Sequence, residues 1–318
     1  MIPYLVRRLA EAIVTLFGVA VLVFIVMRVL PGDEVTARLG TETGALTDTQ
    51  RDALERYYGL DQPLFRQFFS WLGSVFSGNF GISVTSGQPV RTLIAEALPV
   101  TIELAILATM FGALVGVGIG VFAASHVNRF GDVVGQGFGL FGLGIPNFIV
   151  GSTIIAVLAT NFAYFPSAAR YVGFFESPVE NVQQQFWPAV TLAIGLAAAV
   201  MRTTRSAFLE ANSQDFVRTA KGKGLTPRRI RWRHVLHNSS IPIVTIVGIQ
   251  FGYLLGGTVI VEEIFALPGM GRLVLTGISQ REYAVVQSCV LVIAALFVLV
   301  NVAVDLIYIG IDPRVKLR

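Results

Sequence analysis

Six long apolar runs dominate this sequence, and they restrict it to a helical fold in a membrane. They cover residues 12–27, 98–125, 133–162, 181–201, 238–261 and 284–311. Roughly 20 apolar residues cross a bilayer core as a helix, so each run is a candidate span. Backbone groups in lipid must be paired within the protein, which makes these runs helices rather than loops. Composition agrees: 54% of residues are hydrophobic and only 14% charged, against about a quarter charged in a soluble domain. The first run extends to Leu30 across Arg28 and stops at Pro31-Gly32. A cleaved signal peptide is the alternative there, but the core is long for one and no small-x-small site precedes PGDE, so an uncleaved helix is expected. The expected fold is an all-α integral membrane protein with six transmembrane helices.

Charge in the loops orients it. The segment 202–237 carries nine Lys/Arg against two acids, and the tail 312–318 three against one. The segment 31–97 carries five against eight acids. The positive-inside rule therefore places both termini and 202–237 in the cytoplasm, with 31–97, 163–180 and 262–283 outside.

Glycine is frequent in the second and third runs (GALVGVGIGV and GQGFGLFGLGIPNF). Small residues let helices approach closely, and Gly-Leu-Gly-Ile-Pro at 142–146 predicts a kink. Ionisable residues inside the runs are few: Glu103 near the outer face and Asp305 near the inner one, the latter sharing a helix face with Asn301. A proton-coupled carrier usually places more carboxylates at mid-depth, so structural pairing is the expectation for both. In the outer segment, Thr47-Asp48-Thr49-Gln50 matches a capping box before ALERYY and predicts a short helix. FRQFFSWLGSVFSGNFG, 65–81, has helical spacing suited to lying along the interface or packing on the outer ends of the bundle.

The most basic stretch, DFVRTAKGKGLTPRRIRWRHVLHNSSIP at 215–242, lies between two spans. A Walker loop needs Lys followed by Ser or Thr, whereas the three lysines precede Gly222, Gly224 and Leu317. No GxSxG, HExxH or CxxC occurs, and the single cysteine, Cys289, lies in an apolar run. Three histidines, His126, His234 and His237, do not make a four-ligand metal cage by themselves. Asn212 or Ser213 can cap a first helix, Gly222 and Gly224 can end it, and Thr226-Pro227 can start a second. DNA recognition by this helix-turn-helix is excluded by its size and by membrane helices fixing both ends. Simple topology signalling explains the charge but not the caps, which point to a shaped surface. Phe216, Val217 and Ala220 share one face, an apolar patch rimmed by charge and suited to a partner protein. Trp232, Val235 and Leu236 fall within about 100° of arc, as for a helix resting on a membrane.

In order along the chain, PYLVRRL, PGDE, YGLDQPLFRQFFSWL, GNFGISVTSGQPV, LPVTIEL, FGLGIPNF, MRTTRSAFLE, DFVRTAKGKGL, RHVLHNSSIPIVT, VEEIFALPGMGRL and IYIGIDPRVKLR resemble the B-type permease subunits of dipeptide, oligopeptide and nickel ABC importers. The resemblance covers nearly the whole chain. It implies a type I importer transmembrane domain over 98–318, preceded by an N-terminal helix and extracytoplasmic segment over 1–97. It also implies a cytoplasmic coupling loop, about 202–241, that docks on an ATPase. The family's Glu-Ala-Ala pattern, aligned on Gly224, falls on Arg218, Thr219 and Ala220, so its Glu is absent. The spacing to Ile241-Pro242 is longer than usual. Peptide-type permeases resemble this chain in both departures. Coupling roles are carried over to Asp215, Arg218, Ala220, Gly224 and Leu225, with helix capping or surface charge as the alternative for each.

The resemblance implies no cofactor in this chain, with ATP and Mg bound by two partner ATPase subunits. The other implied partners are a second homologous permease, an extracytoplasmic substrate-binding protein and the bilayer, with no nucleic acid. Location is the plasma or inner membrane, and the chain is not itself an enzyme. Short peptides are the expected substrate, with nickel chelates, glutathione or another small solute as alternatives; the three histidines are all expected on the cytoplasmic side, away from a nickel path. An ion-coupled carrier acting alone, or an exporter half or sensor, are the readings from other classes.

Overall fold

A computed structural model describes residues 2–29, 49, 61–163 and 171–311. The capping box at 47–50, apart from Thr49, the short helix expected after it, the Pro31-Gly32 stop and the tail 312–318 lie outside the described residues. The described residues are helical apart from loops and an isolated antiparallel bridge between Ile82 and Pro89. Helices α1 (Ile2–Val29), α2 (Leu64–Phe76), α3 (Val90–Ser125), α4 (Phe130–Gly144), α5 (Asn147–Phe162), α6 (Pro178–Asn212) and α7 (Asp215–Gly222) come first. Two single turns follow, α8 (Pro227–Arg229) and α9 (Leu236–Asn238), flanking a π-helical turn, Ile230–Val235. Last are α10 (Ser240–Gly257), α11 (Val259–Ile264), α12 (Met270–Ser279) and α13 (Tyr283–Ile311).

Five helices, α1, α3, α6, α10 and α13, are long and apolar enough to cross a membrane. The third apolar run forms two helices, α4 and α5, bent by 97°, so the span count reaches six when the pair counts as one. The expected kink is a full break. Pro146 disfavours helical backbone at the preceding residue, and Ile145 sits extended at φ −92°, ψ 120°. At 15 and 16 residues, each half is roughly 22–24 Å long, short of a core about 30 Å thick.

The chain divides into two compact units, Met1–Thr101 with Pro268–Val298, and Ile102–Leu267 with Leu299–Arg318. In the first, α2 lays Phe68 into a cluster with Ala20 and Phe24 of α1, the Phe24 and Phe68 rings meeting edge to face at 5.3 Å. Phe65, Phe69 and Phe76 remain exposed, so α2 packs on α1 with one face and leaves aromatic side chains on the other. Elsewhere in this unit, Glu282 Oε1 accepts from Ser83 Oγ at 3.0 Å and Thr85 N at 3.1 Å, clasping the loop before α3. Thr101 Oγ1 accepts from Met270 N at 2.8 Å, at the start of α12.

In the second unit the glycines of α3 and α4 do what small residues do between helices. A Cβ on Gly112, Gly116 or Gly120 would lie 2.5–2.8 Å from atoms of α6, and one on Gly142 would lie 2.8 Å from Ala198. The backbones therefore touch nearly directly, which only glycine permits. One polar pair fastens the same helices: Arg205 of α6 binds Asp132 of α4 through both carboxylate oxygens, at 2.7 and 2.9 Å.

Candidate functional site

The basic stretch folds onto the ends of α3 and α6, within the second unit. At 36 and 35 residues these helices are roughly 50 Å long and outreach a bilayer core about 30 Å thick. Their C-terminal ends carry Val121 and Ala124 of α3 and Phe208 and Ala211 of α6. Against these four pack Val217 and Ala220 of α7, with Ile230 and Val235 of the π turn. Phe216, Leu225 and Leu236 complete the cluster. Val217 is 1% exposed, and burying a valine in this way contributes about 1.5–3 kcal/mol.

This packing corrects the expected outward patch. Phe216, Val217 and Ala220 do share a face, but that face covers the protein's own core; the outward side of α7 is polar. Asp215 and Arg218 are exposed and pair at 3.4 Å, while Lys221, Gly222, Lys223 and Gly224 are exposed beyond them. So the coupling candidates divide. Asp215, Arg218 and Gly224 face outward, Leu225 is half-buried, and Ala220 is buried.

The chemistry of the turn explains Gly224. Leu225 N donates to Ala220 O at 3.2 Å and Gly224 N to Lys221 O at 2.9 Å, the paired bonds of a Schellman cap. Such a cap needs a left-handed residue, and Gly224 has φ +74°. Leu225 then folds back on the cluster, supplying the cap's apolar contact. As expected, α7 ends at Gly222 and Thr226-Pro227 opens the next turn, with Thr226 Oγ1 accepting from Arg229 N at 3.4 Å. The expected N-cap differs: Asn212 is the last residue of α6, and Gln214 precedes α7 with no side-chain cap bond.

The second half also departs from its expected face. The widened π turn rotates Trp232 out of line with Val235 and Leu236, leaving it 54% exposed while Val235 is fully buried. Arg228, Arg229 and Trp232, with Thr226, line an open concavity of about 430 Å³. The return to α10 is pinned by Ser239, whose buried hydroxyl shares its one proton between Val235 O at 2.8 Å and Ala207 O at 3.1 Å.

A second polar centre surrounds Glu103. Its carboxylate accepts from the Tyr171 hydroxyl, from Asn181 Nδ2 at 2.7 Å and from Gln185 Nε2 at 3.0 Å. Burial, and then the hydrogen bond and charge of Glu103, push the Tyr171 phenol well above its ordinary range. The arrangement ties α3 to the start of α6 and fits the expected structural pairing of Glu103. Sequence reasoning missed its partners, and it missed Asp132–Arg205; the available signal was opposite charges near the ends of apolar runs.

Comparison with known proteins places these features. The family described as binding-protein-dependent transport system inner membrane component matches residues 116–317, and that of the N-terminal part of such membrane components matches residues 1–105. The chain is 34% identical over 318 residues to the glutathione transport system permease protein GsiC of Escherichia coli K12, covering all of both. It is 36% identical over 314 residues to the probable peptide ABC transporter permease protein y4tP of Sinorhizobium fredii, covering 98% and 99%. Its fold resembles a chain of the inward-facing MetNI methionine ABC transporter, with TM-score 0.53 and 18% identity over 69% of this chain and 96% of that one.

Proposed function

The chain belongs to the family of binding-protein-dependent transport system inner membrane components, and from that premise we propose that it forms half of the pathway of an ATP-driven importer of short peptides. It is a multi-pass permease subunit of an ABC importer and not an enzyme, since ATP hydrolysis in such systems is carried by separate ATPase subunits. On this reading a second homologous permease completes the pathway, an extracytoplasmic binding protein delivers substrate, and ATP and Mg act on two ATPase chains. The positive-inside count supports cytoplasmic termini and a cytoplasmic 202–241 loop. Residues 98–318 then form the importer domain, and 1–97 an added helix and outer segment. Peptides are favoured because one relative is a probable peptide permease, and the solute of another, glutathione, is itself a tripeptide.

One observation carries the mechanism: a single apolar cluster joins α7 to the ends of both α3 and α6. A close-packed cluster transmits displacement rather than absorbing it. An ATPase gripping Asp215, Arg218 and the Gly224 turn therefore moves two spanning helices as one body, a hinge- or shear-type switch. Ala220 and Leu225 serve from within, holding α7 to the cluster. Gly224→Asp tests this. Nothing lies within 4 Å of a Cβ at Gly224, so the added side chain meets no neighbour and the spans still insert, but the φ of +74° strains any residue other than glycine. Gly224→Ala, which carries that strain without the charge, is the control beside Gly224→Asp and should keep the larger share of uptake. We expect Gly224→Asp to abolish uptake and transport-stimulated ATP hydrolysis in the assembled importer. Wild-type uptake by Gly224→Asp overturns the coupling assignment.

A further inference from the structure

We propose that Arg228, Arg229 and Trp232 form a binding site for the headgroup of an anionic phospholipid. The site goes beyond the coupling reading and uses a different face of the same stretch. Trp232 precedes Ser240, where the α10 span begins, by eight residues. At helical rise that is at most about 12 Å, close to a headgroup layer some 5–8 Å deep on each side. Tryptophan favours this depth because its ring is apolar and its N–H is not. Arginine side chains there extend their charge to the phosphates.

Three features favour lipid. First, no acidic residue occurs between Asp215 and Glu262, and among the described residues neither Arg228 nor Arg229 has a carboxylate partner. Two adjacent exposed guanidinium groups are thus left for an external anion, and guanidinium matches phosphate in a forked pair of hydrogen bonds. Second, the π turn sets Trp232 apart from the buried Ile230 and Val235. Ordinary α geometry would bring Trp232 into line with Val235 and Leu236, both packed on the cluster; the widened turn, a geometry frequent at functional sites, presents the ring outward instead. Third, the two arginines, Thr226 and Trp232 line one concavity, so cation, hydroxyl and ring converge on one ligand. Its chemistry is a phosphodiester attached to an apolar body.

Lipid quenching in the full-length permease tests this. The chain has three tryptophans; replacing Trp71 and Trp187 with Phe leaves Trp232 as the reporter. The protein is reconstituted in phosphatidylcholine vesicles containing phosphatidylglycerol, with either lipid brominated in turn. We expect brominated phosphatidylglycerol to quench Trp232 more strongly at equal mole fraction. Each arginine near an anionic surface enriches such lipid roughly fivefold. R228Q/R229Q removes the preference while leaving quenching by phosphatidylcholine, and R228K/R229K restores part of it. Equal quenching by both lipids, or a preference unchanged in R228Q/R229Q, overturns the proposal. So does absence of quenching, or its loss when the ATPase subunits are added, the latter because a protein rather than a lipid then covers the ring.

Discussion

Replacing Gly116 with alanine separates close helix packing from every other property of α3. A Cβ at this position lies 2.6 Å from the Ala197 carbonyl oxygen and 2.8 Å from Val200 Cβ. The first obstacle is backbone and cannot rotate away. Contact becomes ordinary only from 3.4 Å, so α3 and α6 must part by about 0.8 Å, a gap that forfeits a quarter to a half of the dispersion energy of the atoms it separates. Such overpacking costs about 1–3 kcal/mol. Against it stands the helix-forming advantage of alanine over glycine, about 0.5–1 kcal/mol. Gly118 supplies the control, being exposed on the same helix with nothing within 4 Å of a Cβ. Gly118→Ala gains the same advantage without the clash, so the difference between the variants isolates the packing term. Thermal unfolding of the purified permease, followed by loss of the monodisperse peak after heating, should show Gly116→Ala melting on the order of 5 °C below Gly118→Ala. Equal melting temperatures, or a higher one for Gly116→Ala, refute the close α3–α6 approach.

Two further outcomes follow from the polar pairs. Asp132 is only 2% exposed at its side chain, so Arg205→Ala strands a buried carboxylate and should destabilise the protein by about 3–5 kcal/mol. Asp132→Leu/Arg205→Met should recover most of that in the same melting assay. Tyr171, raised above its ordinary 10.0 by burial and by Glu103, should not ionise with the exposed tyrosines. Because the fold holds the neutral phenol, its contribution is complete below pH 10 and is lost as pH rises from there through its folded value, since the unfolded chain ionises first. In an alkaline titration at 295 nm, Tyr171→Phe should leave the absorbance change through the ordinary tyrosine range unaltered; a smaller change in that range counts against the pairing with Glu103.

Much of this protein was legible without coordinates where the determining physics is local. An uninterrupted apolar run of span length must become a helix, because lipid offers its backbone no other partner. The Gly224 stop and the Thr226-Pro227 start were readable because caps act within a few residues. The break at Ile145-Pro146 was readable as a kink, since proline restricts its neighbour, but not as a 97° turn, whose size depends on what each half packs against.

Which side of a helix is covered was not legible. In a soluble chain the apolar face is the buried one, but in lipid both the packed and the lipid-facing sides are apolar, so hydropathy does not separate them. The same difficulty reversed the reading of α7, where the Val217–Ala220 face looked like a surface for a partner. It is the underside of the loop because the C-terminal ends of α3 and α6, about a hundred residues and only a few residues away in sequence, meet beneath it. Distant pairing also decided Asp132–Arg205 and the bonds to Glu103, and the π turn decided where Trp232 points. Sequence alone determined the spans, their orientation signal and the glycine-capped basic loop, because those follow from local preference and solvent. Tertiary structure alone decided that the loop's apolar face is bolted to two helices while its charged face is exposed, because burial is a property of neighbours, which folding brings from afar.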